Sequence, residues 1–184
     1  LSALGHTVKK PTPTITPIAV SNPWVRALMG VSIDQMRLTF YVEGEKQFRI
    51  DGALLFTHFG LSGPLILNNA HKVADLLQSG AVTAAMDAFP DTDLGVLEKR
   101  IIAVFDAAKN KTLKNVLKDI VPAGMAKGVA VLLERDIDLE TKVHSVSKAD
   151  RKFMTQKLKA LPMVIDGLMG FDRAVLHHLC VLDP

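Results

Sequence analysis

The sequence is poorest in the features that most readily name a function. Its 184 residues hold one cysteine, Cys180, which excludes an internal disulfide and any cysteine-based zinc site. A single thiol fits a reducing compartment, so a cytoplasmic location is expected, with Cys180 as a small buried hydrophobe. Long apolar runs are missing: each is broken by charge or glycine before the roughly 20 residues of a membrane-spanning helix. Leu1-Ser2-Ala3-Leu4-Gly5-His6 has neither the basic start nor the apolar core of a signal peptide, and Leu1 in place of methionine suggests a piece of a longer chain. A strong charge imbalance is also missing. The 22 basic and 19 acidic residues leave a net charge of +3 and are spread along the chain, which argues against a nucleic-acid binder.

Familiar catalytic motifs are absent as well. No G-x-G-x-x-G, G-x-x-x-x-G-K-S/T, H-E-x-x-H or G-x-S-x-G occurs. His177 and His178 are adjacent, so on a strand their rings point to opposite faces and cannot share a metal. No metal site and no catalytic residue is therefore assigned. Asp34, Asp51, Asp87 and Asp166 sit beside strand-like sequence without partners at a telling spacing and read as turn or solvated residues. The lysines of 109–114 and 142–159 are interleaved with apolar helix positions and read as solvent faces, with a docking patch as the alternative.

What is present is a change of hydrophobic period along the chain. With 48% hydrophobic residues, it can bury the core of one domain or two small subdomains. Alternating prolines in 11–17 predict a stiff linker running into an edge strand over 15–20. Ser21-Asn22-Pro23 predicts a short helical turn that Gly30 stops. Met36, Leu38, Phe40 and Val42 alternate with polar residues, Glu43-Gly44-Glu45 turns the strand back, and Phe48 and Ile50 continue the pattern. The meander is the seed of a small sheet or barrel. Ile66, Leu67, Ala70, Val73, Ala74 and Leu77 then share a helical face, and a strand over 81–89 follows. Leu94 to Ala108, Leu113 to Val121 and Met125 to Leu133 each carry a stripe at three- and four-residue spacing. Ser147-Lys148-Ala149-Asp150 is a capping box with a shortened acid, opening a last helix. The predicted class is α+β, a β-barrel interrupted by a helical-bundle subdomain. Residues 1–63 form the first barrel segment with a linker over 1–14; 64–162 form a mainly helical subdomain with the 81–89 strand returning to the sheet; 163–184 complete the barrel.

Between the meander and the first helix lies the most informative stretch, 54–64. Gly60 frees the backbone, Ser62 can cap, and Pro64 suits a first helical turn, so the segment reads as a strand-to-helix turn. Such a turn can be an ordinary capped helix, or it can aim backbone N–H groups at an anion or a partner. A nucleophilic Ser62 would need a histidine and a carboxylate that no local signal supplies. His58 can hold the turn or touch a ligand.

The run Gly52-Ala53-Leu54-Leu55-Phe56-Thr57-His58-Phe59-Gly60-Leu61-Ser62-Gly63-Pro64 with Ile66-Leu67 closely resembles the signature of the HI0933-like, aminoacetone-oxidase-like family of FAD-dependent, NAD(P)-associated flavoproteins. Leu4-Gly5-His6-Thr7-Val8 with Pro13 and Pro17-Ile18 is similar to the point where that family's chain leaves its nucleotide-binding domain. Met86 to Asp91, Asn110 to Leu113, and Leu161-Pro162 through Gly167 to Gly170-Phe171-Asp172-Arg173-Ala174 resemble later landmarks in the same order. After Ala174-Val175 the pattern departs: a Thr-x-Gly-Gly-Val turn is expected and Leu176-His177-His178-Leu179-Cys180-Val181 stands there.

The resemblance implies a cyclophilin-like or translation-factor-like β-barrel carrying a helical subdomain, inserted between two halves of a Rossmann-type FAD domain. It implies an insert or cap that packs on the flavin domain and shapes access of a small-molecule substrate, with no catalysis of its own. FAD would belong to the parent protein, whose fingerprint lies outside these residues, and NAD(P)H stays open as a second cofactor. Thr57, His58, Gly60, Ser62 and Gly63 would face the cofactor or the neighbouring domain. The alternative is a stand-alone protein- or RNA-binding module on the same barrel and bundle.

Overall fold

The computed structural model describes residues 7–8, 12–170, 176–178 and 181–182, with side chains described for 15–170. Cys180 and the Phe171 to Ala174 landmark lie outside them. Two short ladders tie the two ends of the chain together: β1 (Thr7–Val8) and β2 (Thr12–Ile15) pair antiparallel with partner strands near the C-terminus, at Val181–Leu182 and Leu176–His178 respectively. The segment predicted as a linker is thus partly strand. Pro13 is tolerated because, among the described residues, β2 has a neighbour on one side only, so a missing N–H breaks no second ladder.

The main sheet begins with β3 (Ile18–Ala19), followed by the four-residue α1 (Pro23–Arg26). Two long strands follow, β4 (Ser32–Val42) and β5 (Glu45–Thr57), joined by Glu43-Gly44 with φ of 50° and 83°. Two positive φ values make a hairpin turn whose twist matches that of its strands. β6 (Gly60–Ser62) folds back on β5, and α2 (Pro64–Leu67) and α3 (Ala70–Ser79) follow. The single helix predicted over 66–77 is therefore broken at Asn68-Asn69. β7 (Val82–Asp87) returns to the sheet beside β4. The helical part is α4 (Leu94–Ala107), α5 (Leu113–Ile120), α6 (Ala126–Leu133), a 3-10 turn at Val143–Ser145 and α7 (Lys148–Lys159). β8 (Leu161–Ile165) and β9 (Gly167–Leu168) end the main sheet, and β10 (Leu176–His178) and β11 (Val181–Leu182) form the terminal ladders.

The seven strands lie in the order β8-β7-β4-β5-β6-β3-β9, every pair antiparallel. The expected barrel is corrected in one respect: among the described residues no ladder closes the sheet, because β8 and β9 are its two edges. Only Asp166 separates those edges in sequence, so the sheet curls until both come from one segment. Two side-chain hydrogen bonds and one backbone bond span the seam. The Asn22 carboxamide oxygen accepts from Val164 N at 2.8 Å, Trp24 Nε1 donates to Pro162 O at 2.8 Å, and Asp166 N donates to Ala19 O at 2.9 Å. Pro162, expected to precede the strand, lies within it.

The alternation read along β4 is real: Met36, Leu38, Phe40 and Val42 are buried, in one core with Leu54 and Phe56 of β5 and Leu161, Met163 and Ile165 of β8. The helices add Leu97, Ile101, Leu117, Val129, Met154 and Leu158 to the same core. α6 docks on α1 so closely that a Cβ on Gly128 would lie 2.5 Å from Leu28 Cγ and 2.6 Å from Trp24 O. Among the described residues no helix is long and apolar enough to cross a membrane.

Candidate functional site

The 54–64 stretch is a hairpin followed by a helix start, which corrects the strand-to-helix turn predicted for it. β5 pairs with β6 in the register Leu55↔Ser62, Phe56↔Leu61 and Thr57↔Gly60, leaving His58-Phe59 as a two-residue loop. Thr57 staples this loop: its Oγ1 donates to Gly60 O at 3.1 Å and accepts from Gly60 N at 3.2 Å. β3 lies on the other side of β6, with Ile18↔Leu61 and Ala19↔Gly60, and Val20 N donates to Phe59 O at 3.0 Å. Gly60 has φ 147°, and a Cβ there would strike the Ile18 carbonyl and lie 2.5 Å from Val20 N. The closeness of a neighbouring strand is enough to require this glycine.

Ser62 does not cap. It is the last residue of β6, half-buried, and the cap position is Gly63, with φ 92° and a Cβ direction 3.0 Å from Leu55 N. No side-chain cap bond forms there, and α2 is four residues long with Pro64 in its first turn. So short a helix gathers little dipole, and the anion-facing alternative loses its physical basis. His58 is exposed at the loop tip, its ring 4.8 Å from that of Phe59 in an edge arrangement. The five predicted residues are thus close in sequence but differ in kind. Thr57, Gly60 and Gly63 set backbone geometry, whereas the side chains of His58 and Ser62 are exposed and half-buried respectively. They also face different ends of β3. Ser62 follows Leu61 toward Thr16-Pro17, where the chain arrives from the terminal ladders, while His58 lies past Gly60 at the Val20 end.

Two ionic locks that the sequence reading missed hold the loop after β7. Asp87, expected to be solvated, has a side chain only 13% exposed and receives Lys159 Nζ at 2.6 Å. The same ammonium donates to Phe89 O at 2.6 Å and Thr92 O at 2.7 Å, so Lys159 is no solvent-face lysine. Arg37 reaches the loop from β4, donating to Pro90 O at 2.7 Å, and grips Asp51 with two bonds at 2.9 and 2.8 Å. The Asp51 carboxyl is held below the usual carboxylate range chiefly by the hydrogen bond from Arg37, against the opposing effect of burial. No local spacing signals either pair: Lys159 and Asp87 belong to different elements, and Arg37 and Asp51 meet only across the β4–β5 ladder.

A concavity of about 520 Å³ lies elsewhere, at the β8 edge between the sheet and α6. Trp24, Tyr41, Ala84, Leu132 and Met163 give it apolar walls, with Glu134 and Arg135 among its polar groups. None of the five predicted residues lines it. A protein-family model described as the HI0933-like protein barrel and H2TH domain matches residues 12–176, from the first strand of the β2–β10 ladder to the start of its partner.

Proposed function

The chain belongs to the HI0933-like family, and on that premise we propose that it is the insert domain of an FAD-dependent oxidoreductase, packed on the flavin domain as a cap that shapes access of a small-molecule substrate. The observation that carries this reading is the pairing of β1 with β11 and of β2 with β10. Antiparallel ladders between the two ends send the chain out beside the point where it came in, as insertion between two halves of a host domain requires. The host is then a Rossmann-type FAD domain reached through these ladders. Register favours the Ser62-Gly63 end of the candidate stretch as the part nearer that host, with His58 farther from it.

The residues here do not themselves fit FAD. No glycine-rich fingerprint occurs, and α2, the helix that starts directly behind Gly63, is a single short turn with that glycine packed on Leu55. The host's flavin would supply electron transfer, and this chain's part would be orientation and exclusion of water. The cleft at the β8 edge, with apolar walls and few polar groups, has the size and make-up of a small-molecule site. The test is the flavin absorbance of the complete parent protein beside that of this chain alone. A yellow parent and a colourless fragment are expected; a parent that stays colourless with added FAD overturns the reading. A fragment that instead binds RNA with a steep salt dependence would favour a binding module.

A further inference from the structure

We propose that the cleft at the β8 edge takes a neutral, mainly apolar molecule carrying a hydrogen-bond acceptor, a carbonyl compound of the aromatic-ketone kind, with the Asn22 carboxamide as donor. This names a ligand class for the cleft read above as a small-molecule site, and it rests on that reading.

The first observation concerns what the cleft does not take. A strand edge is where an extended peptide adds, through the N–H and C=O groups that the edge leaves unpaired. The outward N–H groups of β8 are spent. Pro162 has none, Val164 N donates to Asn22 Oδ1 at 2.8 Å, and Asp166 N, just past the strand, donates to Ala19 O at 2.9 Å. The Pro162 carbonyl is taken as well, by Trp24 Nε1 at 2.8 Å. Binding is thus left to the side chains, around a space of about 520 Å³ that suits a small molecule.

The polar groups that remain set the chemistry of that molecule. Val164 N fixes which end of the Asn22 carboxamide is oxygen, so the NH2 end is what Asn22 offers, and it makes no hydrogen bond among the described residues. Tyr41 also lines the cleft, and its hydroxyl can donate. The matching group on a ligand is an acceptor. The charged residues of the lining, Glu134 and Arg135, are adjacent, exposed and opposite in sign, so neither an anion nor a cation is favoured. Trp24, Leu132 and Met163 supply apolar wall, and the exposed Val164 side chain at the same edge gains burial when the cleft fills.

The test is a titration of this chain with acetophenone, ethylbenzene, benzoate or benzylammonium, following the indole N–H resonance of Trp24, the sole tryptophan, by NMR. Acetophenone should shift it saturably. Ethylbenzene, of similar shape but without the acceptor, should bind about fivefold more weakly, the loss of one neutral hydrogen bond, and the two ions more weakly still. Asn22→Asp keeps an oxygen for Val164 N and removes the NH2 group. It should weaken acetophenone about fivefold and leave ethylbenzene unchanged, a split that a merely damaged fold does not produce. No saturable shift with acetophenone, equal binding of either ion, or equal weakening of both neutral compounds by Asn22→Asp overturns the proposal. Each of these outcomes leaves the flavin absorbance of the parent, and so the capping role, untouched.

Discussion

At the scale of single residues, the glycines with positive φ divide by what surrounds them. Gly60 is wedged against the backbone of β3, so neither the side chain nor the neighbour can yield. Gly60→Ala should cost about 3 kcal/mol, from a clash added to backbone strain. Gly44, at φ 83° in the open β4–β5 turn, has no atom within 4 Å of where a methyl group would stand, and its alanine variant should lose only about 1 kcal/mol. Urea denaturation of the two variants checks the contrast; equal losses would refute the wedge. Asp51 makes a pH prediction. Its folded pKa is lowered by Arg37, so the pair's contribution is complete above the ordinary carboxylate range and is lost as pH falls through the folded value. With the Asp51 side chain 38% exposed, the effect is small. The stability difference between the wild type and Asp51→Asn should stay constant near neutrality and close in acid, measured from denaturation midpoints across pH.

At the scale of elements, α7 shows what local sequence encodes and what it does not. Its start was legible: Ser147 Oγ accepts from Asp150 N at 3.0 Å and donates to Asp150 Oδ2 at 2.7 Å. The shortened acid meets the serine hydroxyl instead of reaching back to the backbone. Ser147→Ala should cost about 1 kcal/mol, read by thermal denaturation. Its end was not legible, because Lys159 meets Asp87 and two carbonyls that the chain delivers from β7 and the loop beyond. Lys159→Met should cost about 3 kcal/mol by leaving Asp87 largely buried and unpaired, and Lys159→Met with Asp87→Asn should recover part of it. A double variant as unstable as the sum of the single ones would refute the pairing. The same division runs through the molecule. The strand alternation of Met36 to Val42 and the stripes of α4 and α5 follow from one-sided burial, which a local period records. The 54–64 stretch was misread because Gly60 answers β3, a strand far earlier in the chain, and a glycine needed for a close strand looks in sequence like a glycine needed for a turn.

At the scale of the whole molecule, the proposed insertion yields a test that separates capping from flavin binding. The facing strands of the terminal ladders are about 5 Å apart, as antiparallel partners are. A two-residue turn can therefore replace residues 9–180 in the parent chain and rejoin β1 to β11, from Val8 to its partner Val181, without stretching the host. If this chain is a cap, the shortened parent should keep its flavin absorbance, since the dinucleotide cradle is elsewhere. Its kcat/KM for substrate should fall at least about tenfold, the loss expected when positioning contacts and water exclusion are removed. Loss of flavin would mean that the insert helps to hold the cofactor. Unchanged kcat/KM would mean that it does not govern access. Either result overturns the capping role, and neither touches the family assignment, which rests on the match across residues 12–176.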